Sequence, residues 1–536
     1  MIKEKLAHEI DELFKKWNKH DSPGCALAII KDDKIIYKKG YGMADLEHDV
    51  PIITKTIFSI GSISKQFTAM CILLLAKQNK ISLDDDIRKY LPKFPDYGQT
   101  ITIRDLIHHM SGIRDYVGLM ALKGKNTLEM TNLTKREVLR LVFKQKELNF
   151  TPGKEILYSN SNYVMLAAII ENVTGKSLRE FAEENIFKPL GMKNTNFIDD
   201  NKYIIKNRAF GYIPDEKKGF FNAIISHRHC GPGGVYSNVE DLFLWDQNYL
   251  DNKLGKKGQD LIKTMHTPGK LNNREQGDYA FGLVIDKYKE QKRIWHNGGI
   301  GGYHAQYVSF PEYRLSVIIL ANLQNLKPEL LANEIIDKLL ETIFRLNENY
   351  EEEMIKDIEQ TKVTVDPKIF QNYIGKYHSD SLGIVSISCE NNHLMIQASL
   401  RFPEMEFIPE SETSFFLEFL NLRITFEKNK KDIYSQFILH EEGKESINKR
   451  IESSKLTLKE LKEYIGIYFS EEIDQTYSLL INNNNLYIAN FEMLFAEKDK
   501  FRTYWATFRF KRTENGLIEG FKLDTGRVRN LWFKRN

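Results

Sequence analysis

Ile2, Leu6, Ile10, Leu13 and Trp17 recur at helical spacing, so the chain opens on an amphipathic helix with one apolar face. Two strand-like segments follow at residues 25–30 and 34–41, with Lys31, Asp32, Asp33 and Lys34 as the hairpin turn between them. A helix is predicted from Ser62 to about Gln78, with Ile63, Phe67, Met70 and Leu74 on one side. Residues 81–290 mix helical stretches with loops bearing Gly and Pro. Strand character returns at 294–295, 306–310 and 315–321, and a helix is predicted over 330–344. The two ends of this region therefore read as one sheet-and-helix layer, with a largely helical middle inserted.

Beyond this point the pattern changes. Residues 347–366 are rich in Glu and Lys, as in a solvated linker or exposed helix. The remainder alternates apolar and polar positions in short runs, the signature of antiparallel sheet. It also repeats itself. Tyr373, Gly375 and Tyr377 recur as Tyr464, Gly466 and Tyr468, an offset of 464 − 373 = 91 residues. Strand-like text follows each copy, at 384–387 and 394–396, then at 477–481 and 486–488. Asn391 and Asn392 mark the turn in the first copy, and 482–485 the turn in the second. Aromatic strands come late in both, at 424–426 and 507–510. Two related β-domains are expected, each closing on itself as a small barrel that hides its strand edges. The expected domains are 1–346, a linker at 347–366, and barrels at 367–450 and 451–536.

The chain has 536 residues, 42% hydrophobic and 28% charged, which suits several folded domains rather than disorder. A net charge of +3 gives no electrostatic reason to expect a nucleic-acid or membrane partner. Cys25, Cys71, Cys230 and Cys389 are scattered and fit a reduced compartment, with Cys25 and Cys71 as small buried apolar residues. Acidic residues interrupt the first stretch, so it does not read as a signal peptide, and no run is long enough to span a membrane. A cytoplasmic protein is expected.

The candidate chemistry begins at Ser62 and Lys65. Residues three apart share a helix face, so the Lys65 amine can reach the Ser62 hydroxyl and help remove its proton for attack on an acyl group. Alone, the pair equally fits a polar helix start capped by Ser62. Tyr158, Ser159 and Asn160 supply a phenol that can serve as base toward Ser62 and an amide that can hold a substrate carbonyl; alone they also fit a turn with a buried aromatic. His296, Asn297, Gly298 and Gly299 can bring an imidazole and open backbone beside the site; His296 alone also fits a structural histidine. The stretch 230–242 (CGPGGVYSNVEDL) ends as a helix start, with Ser237 or Asn238 capping and Glu240 and Asp241 in the first turn. His227, His229 and Cys230 could suggest metal ligands but have no partner cluster, so no metal is expected. The glycine-rich 298–302 lacks a phosphate-loop lysine, and no G-x-S-x-G occurs.

Taken together, S-x-x-K at 62–65, Y-x-N at 158–160 and H-x-G at 296–298, in that order, resemble the serine β-lactamase and penicillin-binding protein family. The resemblance is nearest its class C branch, which includes esterases and D-amino-acid peptidases. The stretches 106–113 (LIHHMSGI) and 231–237 (GPGGVYS) support it, and it covers roughly residues 5–345. The tail resembles, more loosely, the paired lipocalin-like barrels of D-aminopeptidase-type members. The resemblance implies an α+β fold: an antiparallel sheet flanked by helices plus a helical subdomain, followed by two small antiparallel β-barrels. It implies an acyl-enzyme on Ser62, with Lys65 and Tyr158 sharing the base role and the backbone N–H groups of Ser62 and Gly299 as oxyanion hole. His296 stands where many members carry the lysine of K-T-G, which helps hold a substrate carboxylate. A histidine there is a weaker, pH-dependent cation. The expected substrate is therefore an ester, or a D-aminoacyl amide or short peptide, with weak or no β-lactamase activity. No cofactor is expected, and the β-domains are candidates for homo-oligomer contacts. The alternative is a non-catalytic sensor or scaffold using the same pocket.

Overall fold

Cys25–Lys31 and Leu315–Ala321 are apolar almost without interruption, which requires that both faces of these strands be covered. The computed structural model describes residues 4–226, 228–255, 260–346, 363, 365–379, 382–398, 402–417, 422–429, 433–441, 444–451 and 456–536. The two strands pair antiparallel, Cys25 opposite Ala321 and Lys31 opposite Leu315, at the centre of a six-stranded sheet. Its order is Val284–Tyr288, Gln291–Ile300, Tyr303–Phe310, Leu315–Ala321, Cys25–Lys31 and Lys34–Tyr41. The first and last parts of this region thus share one sheet, and the helical middle is inserted between them. The hairpin turn at Asp32 and Asp33 is left-handed at both residues (φ 48° and 64°).

On one face of the sheet, Ile10 and Phe14 of the helix Glu4–Phe14 and Ile335, Ile336 and Leu339 of Pro328–Leu346 pack with Leu27, Ile29, Val317 and Ile319. Phe14, absent from the predicted helical face, is fully buried and stacks on Tyr41 at 4.5 Å. On the other face, Ala26, Ala28, Ile30 and Ile318 join the core around Phe67, Val164 and Trp245. The helix Ser64–Lys77 lies in that core and is buried from Ser64 to Leu75, not along one side. Its unbroken apolar run from Ala69 to Leu75 explains this: a helix apolar all round must be covered all round.

Within the six-stranded sheet, one strand escaped the sequence pattern and another is longer than predicted. Val284–Tyr288 fell within the stretch read as mixed helix and loop. The strand predicted at 294–295 runs from Gln291 to Ile300, because pairing with Tyr303–Phe310 carries it through Gly298 and Gly299, residues that weaken local strand signal.

The chain divides into two compact units, Met1–Glu348 and Asn349–Asn536. The second unit holds two closed eight-stranded antiparallel barrels, running from Gly375–Ser379 to Lys444–Arg450 and from Gly466–Ser470 to Val528–Arg535. Asn391 and Asn392 (φ 49° and 66°) and Asn483 and Asn484 (46° and 60°) form equivalent left-handed turns. The repeated tyrosines also do the same work: Tyr377 donates to the Tyr373 carbonyl and Tyr468 to the Tyr464 carbonyl, each at 2.8 Å. Most of the expected linker, 347–362 and 364, lies outside the described residues. Val365 is already buried in the first barrel's core. Among the described residues, no helix is long and apolar enough to cross a membrane.

Candidate active site

Ser62 sits in a 3-10 turn, Gly61–Ile63, directly ahead of the helix Ser64–Lys77. The α-helix starts two residues later than expected, and no side-chain cap bond forms at either start, so Ser62 is not a cap. A 3-10 turn eclipses side chains three apart. Lys65 Nζ accordingly lies 3.1 Å from Ser62 Oγ, on a fully buried side chain.

Two other oxygens fix that amine. Lys65 Nζ donates to Asn160 Oδ1 (2.9 Å) and to the Pro232 carbonyl (2.7 Å). Both can only accept, so each takes an N–H group of the amine beside its contact with Ser62. The Asn160 amide is oriented by Asp115, which is fully buried: Oδ1 accepts from the Asn160 backbone N–H at 2.9 Å, and Oδ2 from Asn160 Nδ2 at 3.3 Å. Asn160 was expected to hold a substrate carbonyl; its two ends are engaged by Lys65 and Asp115. The Tyr158 ring covers the amine, with Nζ 4.6 Å from its centroid.

The third segment lies on the strand Gln291–Ile300. Gly298 packs against the turn that carries Ser62; a Cβ on Gly298 would come within 3.1 Å of Ser62 N. A Cβ on Gly61 (φ 53°) would lie 2.7 Å from Gly299 N. Glycine at both positions lets the two backbones touch, bringing the turn of Ser62 against the strand of Gly299.

His296 is buried, with its ring centroid 6.2 Å from that of Tyr158. Its Nδ1 lies 2.5 Å from the Asn297 carbonyl, which can only accept, so Nδ1 carries the hydrogen. Nε2 then accepts from the Tyr279 hydroxyl at 3.0 Å. Burial, and next the nearby Lys65 charge, push this imidazole down to about 3. The expectation of a pH-dependent cation is therefore corrected: the ring is neutral at ordinary pH, because burial disfavours its charged form and the Lys65 charge adds to that. His229 repeats the arrangement, donating from Nδ1 to the Leu133 carbonyl (2.6 Å) and accepting from Tyr116 (2.8 Å) at Nε2. His227 lies outside the described residues. Among those described, no group of three or more His, Cys, Asp or Glu is placed to hold a metal. Asn238 caps the helix Val239–Asp251 through the Asp241 N–H, with Glu240 and Asp241 in its first turn.

The structure thus brings together Ser62, Lys65, Tyr158, Asn160, His296, Gly298 and Gly299 from three distant segments. Sequence reasoning missed Asp115, Tyr279 and the Pro232 carbonyl. An Asp beside a Gly-containing loop looks like a turn residue, and a backbone carbonyl has no residue signature.

A family described as Beta-lactamase matches residues 6–341 of the chain. Penicillin-binding protein 4* of Bacillus subtilis is 30% identical over 442 residues, covering 80% of this chain and 94% of that protein. A D-aminopeptidase of Brucella anthropi is 27% identical over 488 residues, 90% of this chain and 86% of that one. Among solved structures, the octameric penicillin-binding protein homologue from Pyrococcus abyssi superposes with a TM-score of 0.57 at 23% identity, over 93% of this chain and 99% of that one. The D-amino acid amidase from Ochrobactrum anthropi SV3 gives 0.52 at 22% identity, over 64% and 99%. At such identities the likeness is one of fold.

Proposed function

The chain belongs to the β-lactamase family, and from that premise we propose that it is a serine hydrolase forming an acyl-enzyme on Ser62. Its substrate in this reading is an ester, or a D-aminoacyl amide or short peptide. The observation that carries the proposal is Lys65 Nζ, 3.1 Å from Ser62 Oγ while bonded to Asn160 and Pro232. In the reactive form the Lys65–Tyr158 pair has given up one proton; with Asn160 and Pro232 accepting from the Lys65 amine, the pair can take the proton of the Ser62 hydroxyl.

Ser62 Oγ then bonds to the substrate carbonyl carbon as its proton passes to the Lys65–Tyr158 pair. The oxyanion accepts from the backbone N–H groups of Ser62 and Gly299. Collapse breaks the bond to the leaving amine or alcohol, which takes the proton back from the pair. Water attacks the acyl-enzyme by the same route, releasing the acid and restoring Ser62.

Two observations favour esters and aminoacyl amides over β-lactams. His296 offers no positive charge for a substrate carboxylate. Among the chain's relatives is a D-aminopeptidase.

A fluorophosphonate or penicillin probe should label wild type on Ser62 and leave Ser62→Ala unlabelled. Turnover of p-nitrophenyl esters and D- and L-aminoacyl anilides, with nitrocefin as contrast, then ranks substrates. Absence of both labelling and turnover would overturn the proposal. Labelling without turnover would favour a non-catalytic binding protein.

A further inference from the structure

His109 contacts the Tyr158 segment on both sides. Its carbonyl accepts from the Leu157 N–H at 2.9 Å, and its Nδ1 accepts from the Ser159 N–H at 3.2 Å. Its ring lies against Tyr158 with centroids 4.4 Å apart. One residue thus holds the backbone before and after Tyr158 and faces the ring between. This is made possible by a left-handed backbone at His109 (φ 58°), a conformation that histidine adopts more readily than most side chains.

The ring is held in one form. Asn162 Nδ2 also points at Nδ1, at 3.3 Å, and the Asn162 amide is oriented by Ser111 Oγ, which donates to its Oδ1 at 2.8 Å. Ser111 Oγ in turn accepts from the Ile113 N–H at 3.1 Å. Two donors converge on Nδ1, so it is an acceptor and the ring hydrogen resides on Nε2. His109, Ser111 and Asn162 are all buried.

We propose that His109 is the positioning residue of Tyr158: the neutral ring, accepting at Nδ1, fixes where the phenol stands relative to Lys65. This rests on the reading of Tyr158 as proton carrier. Lys65 lies over Tyr158 and Tyr163, Tyr279 and His296 border the Tyr158 ring, and Tyr116 interacts electrostatically with Tyr158, so the ionisable groups around the pair include all five. His109 is fully buried, and its effect passes through the placement of another side chain.

The test compares His109→Phe, His109→Asn, Asn162→Ala and Tyr158→Phe in the full chain, on the best substrate of the panel. His109→Phe keeps a ring but removes the acceptor. It should lower kcat about 10- to 100-fold, with KM changed less than about twofold, and shift the pH–rate profile. His109→Asn tolerates the left-handed backbone and returns an oxygen acceptor, so it should recover most of kcat and the original profile. Asn162→Ala leaves His109 in place but removes one of the two donors to its Nδ1, and should shift the profile the same way by less. An unshifted profile in His109→Phe, or equal losses in the Phe and Asn variants, would overturn the proposal. Should His109→Phe fail to fold, Asn162→Ala decides alone, an unchanged profile overturning it. Full activity in Tyr158→Phe would instead overturn the reading of Tyr158 itself.

Discussion

Gly298 and Ile60 meet backbone to backbone: a Cβ on Gly298 would lie 2.0 Å from the Ile60 carbonyl oxygen. The contact joins the strand of His296 to the turn of Ser62, and neither backbone can yield without moving an amide of the proposed oxyanion hole. Gly298→Ala is therefore expected to cut kcat about 100- to 1,000-fold, the range seen when one oxyanion donor is lost. It should also destabilise the first unit by about 1–3 kcal/mol through overpacking. Steady-state kinetics and denaturant unfolding check both, and a variant with full activity would show that the two amides do not act together.

Asp115 controls which end of the Asn160 amide faces Lys65. Asp115→Asn can present its own NH₂ to Asn160, inviting the Asn160 amide to turn and offer a donor to an amine that needs an acceptor. The expected result is a fall in kcat of about 10- to 100-fold. Weakened hydrogen bonding to the Asn160 N–H groups should cost about 1–3 kcal/mol of stability. Unchanged kinetics in a folded variant would remove Asp115 from the proposed machinery.

The residues proposed to carry the side-chain chemistry were singled out by short motifs: Ser62 with Lys65, Tyr158 with Asn160, His296 with Gly298. What orients them was not. Asp115 and Tyr279 come from separate loops, Pro232 contributes only a carbonyl, and the role of Gly298 is the absence of a Cβ. Fold followed the same divide. The central strands and Pro328–Leu346 were legible from continuous or periodic apolar residues, and the two barrels from their repeated tyrosines. The Gly-interrupted end of Gln291–Ile300 depends on pairing with Tyr303–Phe310, a tertiary fact with no local signal. The charge state of His296 likewise depends on burial.

Buried neutral histidines set an acid limit on stability. Burial pushes His296 down to about 3 and His108 and His266 to about 4, from an ordinary 6.5. Between those values the unfolded chain binds protons that the folded chain refuses. Stability from these groups is thus full above about pH 6.5 and falls as pH drops toward 4. Each histidine contributes up to about 1.4 kcal/mol per pH unit in that window. Unfolding midpoints of the first unit should fall steadily from about pH 7 to pH 5, above the range where most carboxylates titrate. A flat profile there would mean that these rings are protonated in the folded protein.

In the second unit the equivalent tyrosines make a comparison between barrels possible. Tyr468 buries its ring in one barrel and donates to the Tyr464 carbonyl, as Tyr377 does to Tyr373 in the other. Arg535 and Arg450 reinforce the same corners, donating to the carbonyls of Ile465 and Ile374. Phenylalanine keeps the ring but leaves a buried carbonyl without its hydroxyl donor, at a cost of about 1–3 kcal/mol. Because each barrel closes on itself, the effect should stay local. In Tyr468→Phe, amide exchange should quicken about tenfold or more along Gly466–Ser470 and remain unchanged along Gly375–Ser379; Tyr377→Phe should reverse the pattern. In the double variant the two effects should add within about 0.5 kcal/mol, as for sites with no shared partners. Loosening of both barrels by either single substitution would show instead that they open as one cooperative body.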